Sequence, residues 1–339
     1  MLGCVLVPET ASFESVFAGK RVLITGGLGF IGSTLAIRLA GLGAHVQLVD
    51  SLVPEYGGNR FNVHGHEQGL RVNISDVRDE HSFRYLVRNQ NYLFNLAGQT
   101  SHLDSMLDPF TDLEINCRAQ LSILEACRKY NPSITIVFAS TRQIYGRPDY
   151  LPVDENHLLR PVDVNGVNKM AGEWFHILYH NVYGLSACAL RLGNTYGPRM
   201  RVKDARQTFL GLWIRLAIER EPFEVWDGQQ LRDFTYVDDA VEAFLLAAAA
   251  DCANGRVFNV GGDGPMSLKQ VADLLVETGA PAGYVERTFP ADRKRIDIGD
   301  YYANDAAIRK SLGWQPKIEL REGLKRTLDY FGENLAQYV

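Results

Sequence analysis

The stretch RVLITGGLGFIG, Arg21 to Gly32, decides the fold. Arg21–Thr25 is a β-branched, apolar run of strand length, and the residues from Ser33 to Leu42 are helical in pattern, stopped by Gly41 and Gly43. Between them stand Gly26, Gly29 and Gly32. The first glycine suits a tight turn, the second lets backbone approach a pyrophosphate, and the third lets the helix pack on the strand. The helix N-terminus, with Phe30 and Ile31 in its first turn, adds partial positive charge for phosphates. Asp50 ends the next apolar run, Ala44–Asp50, eighteen positions after Gly32. A carboxylate there accepts both ribose hydroxyls and repels a 2′-phosphate, which favours NAD over NADP.

Outward from this unit the rhythm continues. Strands are expected at Leu70–Asn73, Tyr92–Leu96, Ile134–Ala139 and Leu185–Arg191. Helices are expected at Asp79–Gln90, Asp112–Tyr130 and Val164–Val182. Strand alternating with helix means a doubly wound, mostly parallel α/β sheet covered on both faces. From about Asn194 the pattern loosens into loops rich in Arg, Pro and Gly, with one clear helix at Ala205–Glu219. The expected organisation is an N-terminal extension (1–19), a nucleotide-binding domain (20–193) to which 231–262 returns, and a smaller substrate-binding domain (194–339).

Composition excludes several classes. In 339 residues, 35 Lys and Arg face 40 Asp and Glu, a net charge of −5 without the positive field that nucleic acid requires. The most apolar stretch, Ala240–Ala250, is too short to span a bilayer and contains Glu242. The first fifteen residues have no basic leader, and the five cysteines have no CxxC pair. These features predict a cytoplasmic protein with reduced thiols.

Several further motifs resemble the extended short-chain dehydrogenase/reductase family of nucleotide-sugar epimerases and dehydratases, from about Lys20 to the C-terminus. The glycine loop is similar to that family's cofactor loop. Asp76-Val77 matches its adenine-contacting pair, Leu96-Ala97-Gly98 its fourth-strand end, and Asn116 a structural Asn. FASTRQIYG (138–146) resembles the segment carrying the active-site Ser or Thr, here Thr141. LRLGNTYGPR (190–199) and LRDFTYVDDAVEAF (231–244) resemble the elements whose Asn and Arg, here Asn194 and Arg232, meet the substrate diphosphate. Arg295 falls where a late Arg often contacts the nucleotide. The resemblance implies a Rossmann-type fold with a smaller C-terminal domain and NAD as cofactor. It also implies a nucleotide sugar as substrate and a homodimer paired through helices 112–130 and 164–182. The chemistry of the residues agrees, because bidentate arginines suit a diphosphate. Arg199, Arg201, Lys203, Arg206 and Arg232 cluster in loops of an otherwise acidic chain, Arg201 and Arg232 standing as substrate-binding candidates.

One departure matters more than these matches. The family pairs a catalytic Tyr with a Lys four residues later; here the Lys is Lys169 and Asn165 stands in the Tyr position. An amide cannot ionise, and it only donates and accepts hydrogen bonds. Removing a general base costs roughly 10²- to 10⁴-fold in rate. Three readings stay open: an enzyme whose base comes from elsewhere, a slow reaction or one needing no base there, and a protein that keeps the cofactor for binding alone. Lys169 with a lowered pKa and His102 after the fourth strand are the leading replacements. Tyr145, Cys117 and Glu114 are weaker ones. Arg142 and Gln143 occupy the positions of the Asp-Glu pair of the 4,6-dehydratases, which disfavours that dehydration and leaves Arg142 to hold a carboxylate or phosphate. His176 and His180 have a zinc-like spacing, yet packing is the expected use, and no metal is assigned. The expected activity is epimerisation of a nucleotide sugar by transient hydride transfer, with dehydration, decarboxylation or net oxidation as alternatives.

Overall fold

The computed structural model describes residues 12–206, 208–290 and 294–339. Most of the expected N-terminal extension therefore lies outside the described residues. Helix α1 (Phe13–Phe17) leads into β1 (Arg21–Thr25), whose side chains after Arg21 are buried on both faces, as a central parallel strand requires. Helix α2 (Phe30–Gly41) begins three residues before its expected start because Gly29, in an extended conformation, serves as N-cap directly after the glycine turn. Then come β2 (His45–Asp50), β3 (Leu70–Ile74), α3 (Glu80–Leu86) and β4 (Tyr92–Asn95).

The single helix expected over Asp112–Tyr130 is instead built in pieces. Two short helices, α4 (His102–Leu107) and α5 (Pro109–Leu113), precede a π-helical turn at Glu114–Arg118, which runs into α6 (Ala119–Tyr130). Asp108 separates the first two by capping α5, its Oδ1 accepting Thr111 N at 3.1 Å. Strand β5 (Thr135–Thr141), helix α7 (Val164–Tyr183, capped by Asp163) and β6 (Ser186–Leu192) complete the first half.

In the second half, β7 (Asn194–Tyr196), α8 (Phe209–Ile218), β8 (Phe223–Trp226), β9 (Leu231–Arg232), β10 (Phe234–Tyr236) and α9 (Val237–Ala249) lead to β11 (Val257–Val260). Strand β12 (Met266–Ser267), α10 (Leu268–Glu277), β13 (Tyr284–Arg287), α11 (Ala306–Leu312) and α12 (Leu320–Asn334) follow. Helix α8 starts later than expected, at Phe209, where Thr208 supplies the cap.

Seven parallel strands form the main sheet in the order β11-β6-β5-β4-β1-β2-β3. This is a Rossmann-type α/β arrangement, with β11 joining from the C-terminal half. One apolar cluster, including Leu35, Phe94, Phe244 and Phe258, packs α2 and α9 on one face. A second, including Phe83, Leu93, Ile123 and Ile136, packs α3 and α6 on the other. Each such buried side chain contributes about 1.5–3 kcal/mol. A third cluster around Trp213, Phe223, Leu275 and Phe331 forms the C-terminal half. The chain winds outward in opposite directions from β1, to β2 on one side and β4 on the other. The crevice above the carboxyl ends of these strands is where such sheets bind ligands.

Cys117, Cys127 and Cys188 are free thiols, and burial pushes the last two up to about 12. The expectation of five reduced thiols fails at Cys252, which is disulfide-bonded, so the cysteines no longer argue for a reducing compartment. Among the described residues no helix is long and apolar enough to cross a membrane.

Candidate active site

The crevice is a cleft lined at one end by Gly26, Gly29, Phe30, Ile31, Gly32, Asp50, Asp76 and Val77. Two glycines are sterically required there. Gly26 has φ +65°, and a Cβ on it would lie 3.0 Å from Ala97 N; a Cβ on Gly32 would lie 2.2 Å from Gly26 O. The turn, the end of β4 and the start of α2 are thus packed backbone on backbone. Asp50 faces this space and also ties the loops, its Oδ2 accepting Leu28 N at 3.0 Å and its Oδ1 accepting Leu52 N at 2.9 Å. Burial raises its carboxyl above the usual range, and the two N–H bonds work against that. Asp76 forms a bidentate pair with Arg78, at 2.7 and 3.0 Å.

Leu96, Ala97 and Gly98 form the floor. Thr25 Oγ1 accepts the N–H groups of Leu96 and Ala97, both at 3.1 Å, and donates to Asn95 Oδ1 at 2.8 Å. At Gly98 a Cβ would strike Lys169 Nζ and Asn116 Oδ1, at 2.8 and 2.9 Å, so the absent side chain makes room for both.

Toward the other end the cleft is lined by His102, Thr141, Arg142, Asn165, Lys169 and Asn194. Lys169 is buried, donates to Ala139 O at 3.2 Å and lies over the Phe138 ring. Burial lowers its ammonium to about 8, although Asp112 pulls the other way. Thr141 Oγ1 accepts Gln143 N at 3.2 Å, which leaves its own proton to give. His102 Nδ1 stands 3.0 Å from Asp163 Oδ2. Burial alone would raise the Asp163 carboxyl, but His102, Gly166 N–H and the Gln143 amide together hold it below its ordinary range. Gln143 is therefore spent on Asp163, at 2.8 Å.

Asn165 is fully committed on one side. Its Nδ2 donates to Gln99 O at 2.8 Å and to Asp112 Oδ2 at 3.0 Å, while its backbone N donates to Ser105 Oγ at 3.2 Å. Gln99, Asp112 and Asn168 did not emerge from the sequence reading. The spacing Asp112-x₃-Asn116 opposite Asn165-x₂-Asn168 was the available signal, since each pair shares a helix face.

The arginines divide. Arg142 lines the cleft, donates to Asn194 Oδ1 at 2.7 Å and lies over the Tyr301 ring; burial lowers its pKa. Arg201, Arg232 and Arg295 do not line it. Arg201 forms a bidentate pair with Asp204, at 2.6 and 2.8 Å. Arg232 is buried against Leu231 O, Gly299 O and Asp297. Arg295 is exposed. Tyr145 is buried away from the cleft, donating to Asn259 Oδ1 and accepting from Arg191, each at 2.7 Å. His176 and His180 spend a ring nitrogen on Gly172 O and Leu185 O, at 2.7 and 2.8 Å.

A parallel sheet wound from β1, a glycine turn beneath α2 and an acidic residue closing β2 define a dinucleotide-binding Rossmann protein. More narrowly, this chain belongs to the NAD dependent epimerase/dehydratase family, whose model matches residues 22–261. It is an enzyme family, and NAD is its cofactor. The chain is 30% identical to the dTDP-glucose 4,6-dehydratase of Streptomyces griseus, over 92% of this chain and 94% of that one. It is 29% identical to the UDP-glucose 4-epimerase of Mycolicibacterium smegmatis, over 92% and 98%. The crystal structure of UDP-glucose 4-epimerase from Thermotoga maritima with UDP-glucose superposes with a TM-score of 0.85, at 29% identity, covering 93% of this chain and 99% of that one. The chain is thus related to nucleotide-sugar epimerases and dehydratases.

Proposed function

We propose that this chain epimerises a nucleotide sugar by taking hydride from one sugar carbon to bound NAD and returning it to the opposite face. One observation carries the reading: a single cleft joins the glycine loop and Asp50 to Lys169, Thr141 and His102. NAD, when bound, supplies the hydride acceptor. Asp50 would hold the adenosine ribose, Asp76 and Val77 the adenine, and Lys169 the nicotinamide ribose. Thr141 would donate to the reacting oxygen. Residue 165 cannot take the proton, so His102, with Asp163 behind it, does so. Arg142 and Asn194 would form the anion-binding side for the diphosphate.

The relatives named for UDP-glucose and dTDP-glucose make these the first probes. On mixing with NAD-loaded protein, a transient rise at 340 nm that decays as a stereoisomer appears is expected. A rise that persists would mean net oxidation, and no change with any nucleotide sugar would remove the reading.

We infer in addition a homodimer built on α5, α6 and α7, supported by the apolar side chains these elements leave in solvent: Phe110, Leu121, Trp174, Leu178 and Val182.

A further inference from the structure

Asp112 has no solvent exposure, so its carboxylate is tolerated only with hydrogen-bond partners to offset the burial. Its carboxylate gathers three carboxamides. Oδ2 accepts Asn116 Nδ2 and Asn165 Nδ2, both at 3.0 Å, and Oδ1 accepts Asn168 Nδ2 at 2.8 Å. Gln99 O accepts a second bond from Asn116 at 2.9 Å and one from Asn165 at 2.8 Å. Both hydrogens of the Asn165 amide are therefore consumed behind the cleft by acceptors. Turning the amide over would aim its oxygen at Gln99 O and the Asp112 carboxylate, a doubly repulsive arrangement. Only Oδ1 is left to face the cleft that Asn165 lines.

The geometry points to Asp112 as a positioning residue that makes position 165 an acceptor-only contact for a sugar hydroxyl. The inference deepens the nucleotide-sugar reading and rests on it. An acceptor needs a donor, and a carbonyl carbon formed during hydride transfer carries none. The hydroxyl that Asn165 Oδ1 holds is therefore one beside the reacting carbon, which keeps its proton throughout the cycle. A phenol at this position would both donate and accept; the Asp112–Asn165 pair narrows this to one polarity.

The ionisable groups that feel Asp112 are Lys169, on α7, and Tyr56, across the cleft. Asp163 stands two residues before Asn165, and His102 one turn before Ser105 on α4. None of these displaces the three amides.

The test uses NAD-loaded protein, with binding of UDP-glucose and dTDP-glucose read by calorimetry. Asn165→Leu and Asp112→Asn should each weaken the nucleotide sugar by about tenfold, the loss of one hydrogen bond. The double variant should be no weaker than Asn165→Leu alone, with NAD affinity kept within about twofold in all three. Losses that add, or that fall on NAD and sugar alike, would make Asp112 a structural brace and overturn the inference. Should Asp112→Asn fail to fold, deoxy analogues of UDP-glucose, each lacking one ring hydroxyl, decide. The wild type should bind one of them about tenfold more weakly than UDP-glucose, and Asn165→Leu should bind that analogue and UDP-glucose alike. A wild type that binds every analogue as it binds UDP-glucose, or an Asn165→Leu variant that discriminates as the wild type does, overturns the inference. If the wild type binds neither nucleotide sugar, the proposed function fails first and takes this inference with it.

Discussion

His102 and Asp163 meet at 3.0 Å across the start of α7, where Asp163 Oδ1 also caps the helix by accepting Gly166 N at 2.7 Å. The carboxylate beside the histidine is thus fixed by the helix that carries Asn165 and Lys169. His102→Gln keeps a polar side chain but removes the proton acceptor. It should lower the turnover rate by about 10²- to 10⁴-fold while NAD content after purification stays unchanged. A variant that turns over at the wild-type rate would return the proton to Lys169.

Lys169 gives a stability signature that needs no substrate. Its ammonium is lowered from an ordinary 10.5 to about 8 because it is buried. Below pH 8 both the folded and unfolded chains hold the proton, and the folded state bears the full cost of burying the charge. Between about 8 and 10.5 only the unfolded chain holds it, so stability rises with pH through that window. Lys169→Met removes the charge. The NAD-free variant should be more stable than the wild type at pH 7, by up to about 3 kcal/mol. Denaturant melts should show that gap closing between pH 8 and 10.5, while the variant loses NAD affinity at every pH.

Much of this molecule was legible in its sequence, and for a physical reason. A buried parallel strand has to be apolar throughout and a glycine turn has to be glycine, so β1, the loop and Asp50 announce themselves locally. Helix 112–130 did not, because its π-turn and breaks follow from where Asp112, Asn116 and Gln99 meet, which is a matter of tertiary contact. The arginines were hard to place for the opposite reason. A loop Arg has the same pattern whether it faces a diphosphate or a neighbouring carboxylate, and only the fold sends Arg201 to Asp204 and Arg232 to Asp297. Asn165 was visible as a departure, but its role depends on two acceptors more than fifty residues away.

On the proposed reading, Asp50 is the residue that selects between NAD and NADP. Its oxygens already accept Leu28 N and Leu52 N, so a ribose hydroxyl would meet a carboxylate held in place from behind. Asp50→Ser should weaken NAD by at least about tenfold and weaken NADP less, because the repulsion of a 2′-phosphate goes with the carboxylate. Burial raises this carboxyl, so wild-type NAD affinity should begin to fall at a higher pH than an exposed Asp would allow as the solution is acidified. Fluorescence titration with NADH and NADPH checks both statements.

The apolar surface along α5 and α7 predicts the assembly. Trp174 is 56% exposed and Leu178 48%, one turn apart, and Phe110 on the neighbouring helix is 76% exposed. Residues four apart share a helix face, so Trp174, Leu178 and Val182 form one stripe beside Phe110 rather than scattered contacts. A stripe of this kind that meets its own copy about a two-fold axis buries the same residues twice. Each aromatic or aliphatic side chain so covered adds about 1.5–3 kcal/mol. Trp174→Glu with Leu178→Glu places two charges on each copy of that stripe, so four would face one another across the axis. Sedimentation should show dimer for the wild type and monomer for the double variant at micromolar concentration. NAD stays bound in both, since neither residue lines the cleft. A wild-type chain that sediments as a monomer would leave the stripe to another partner.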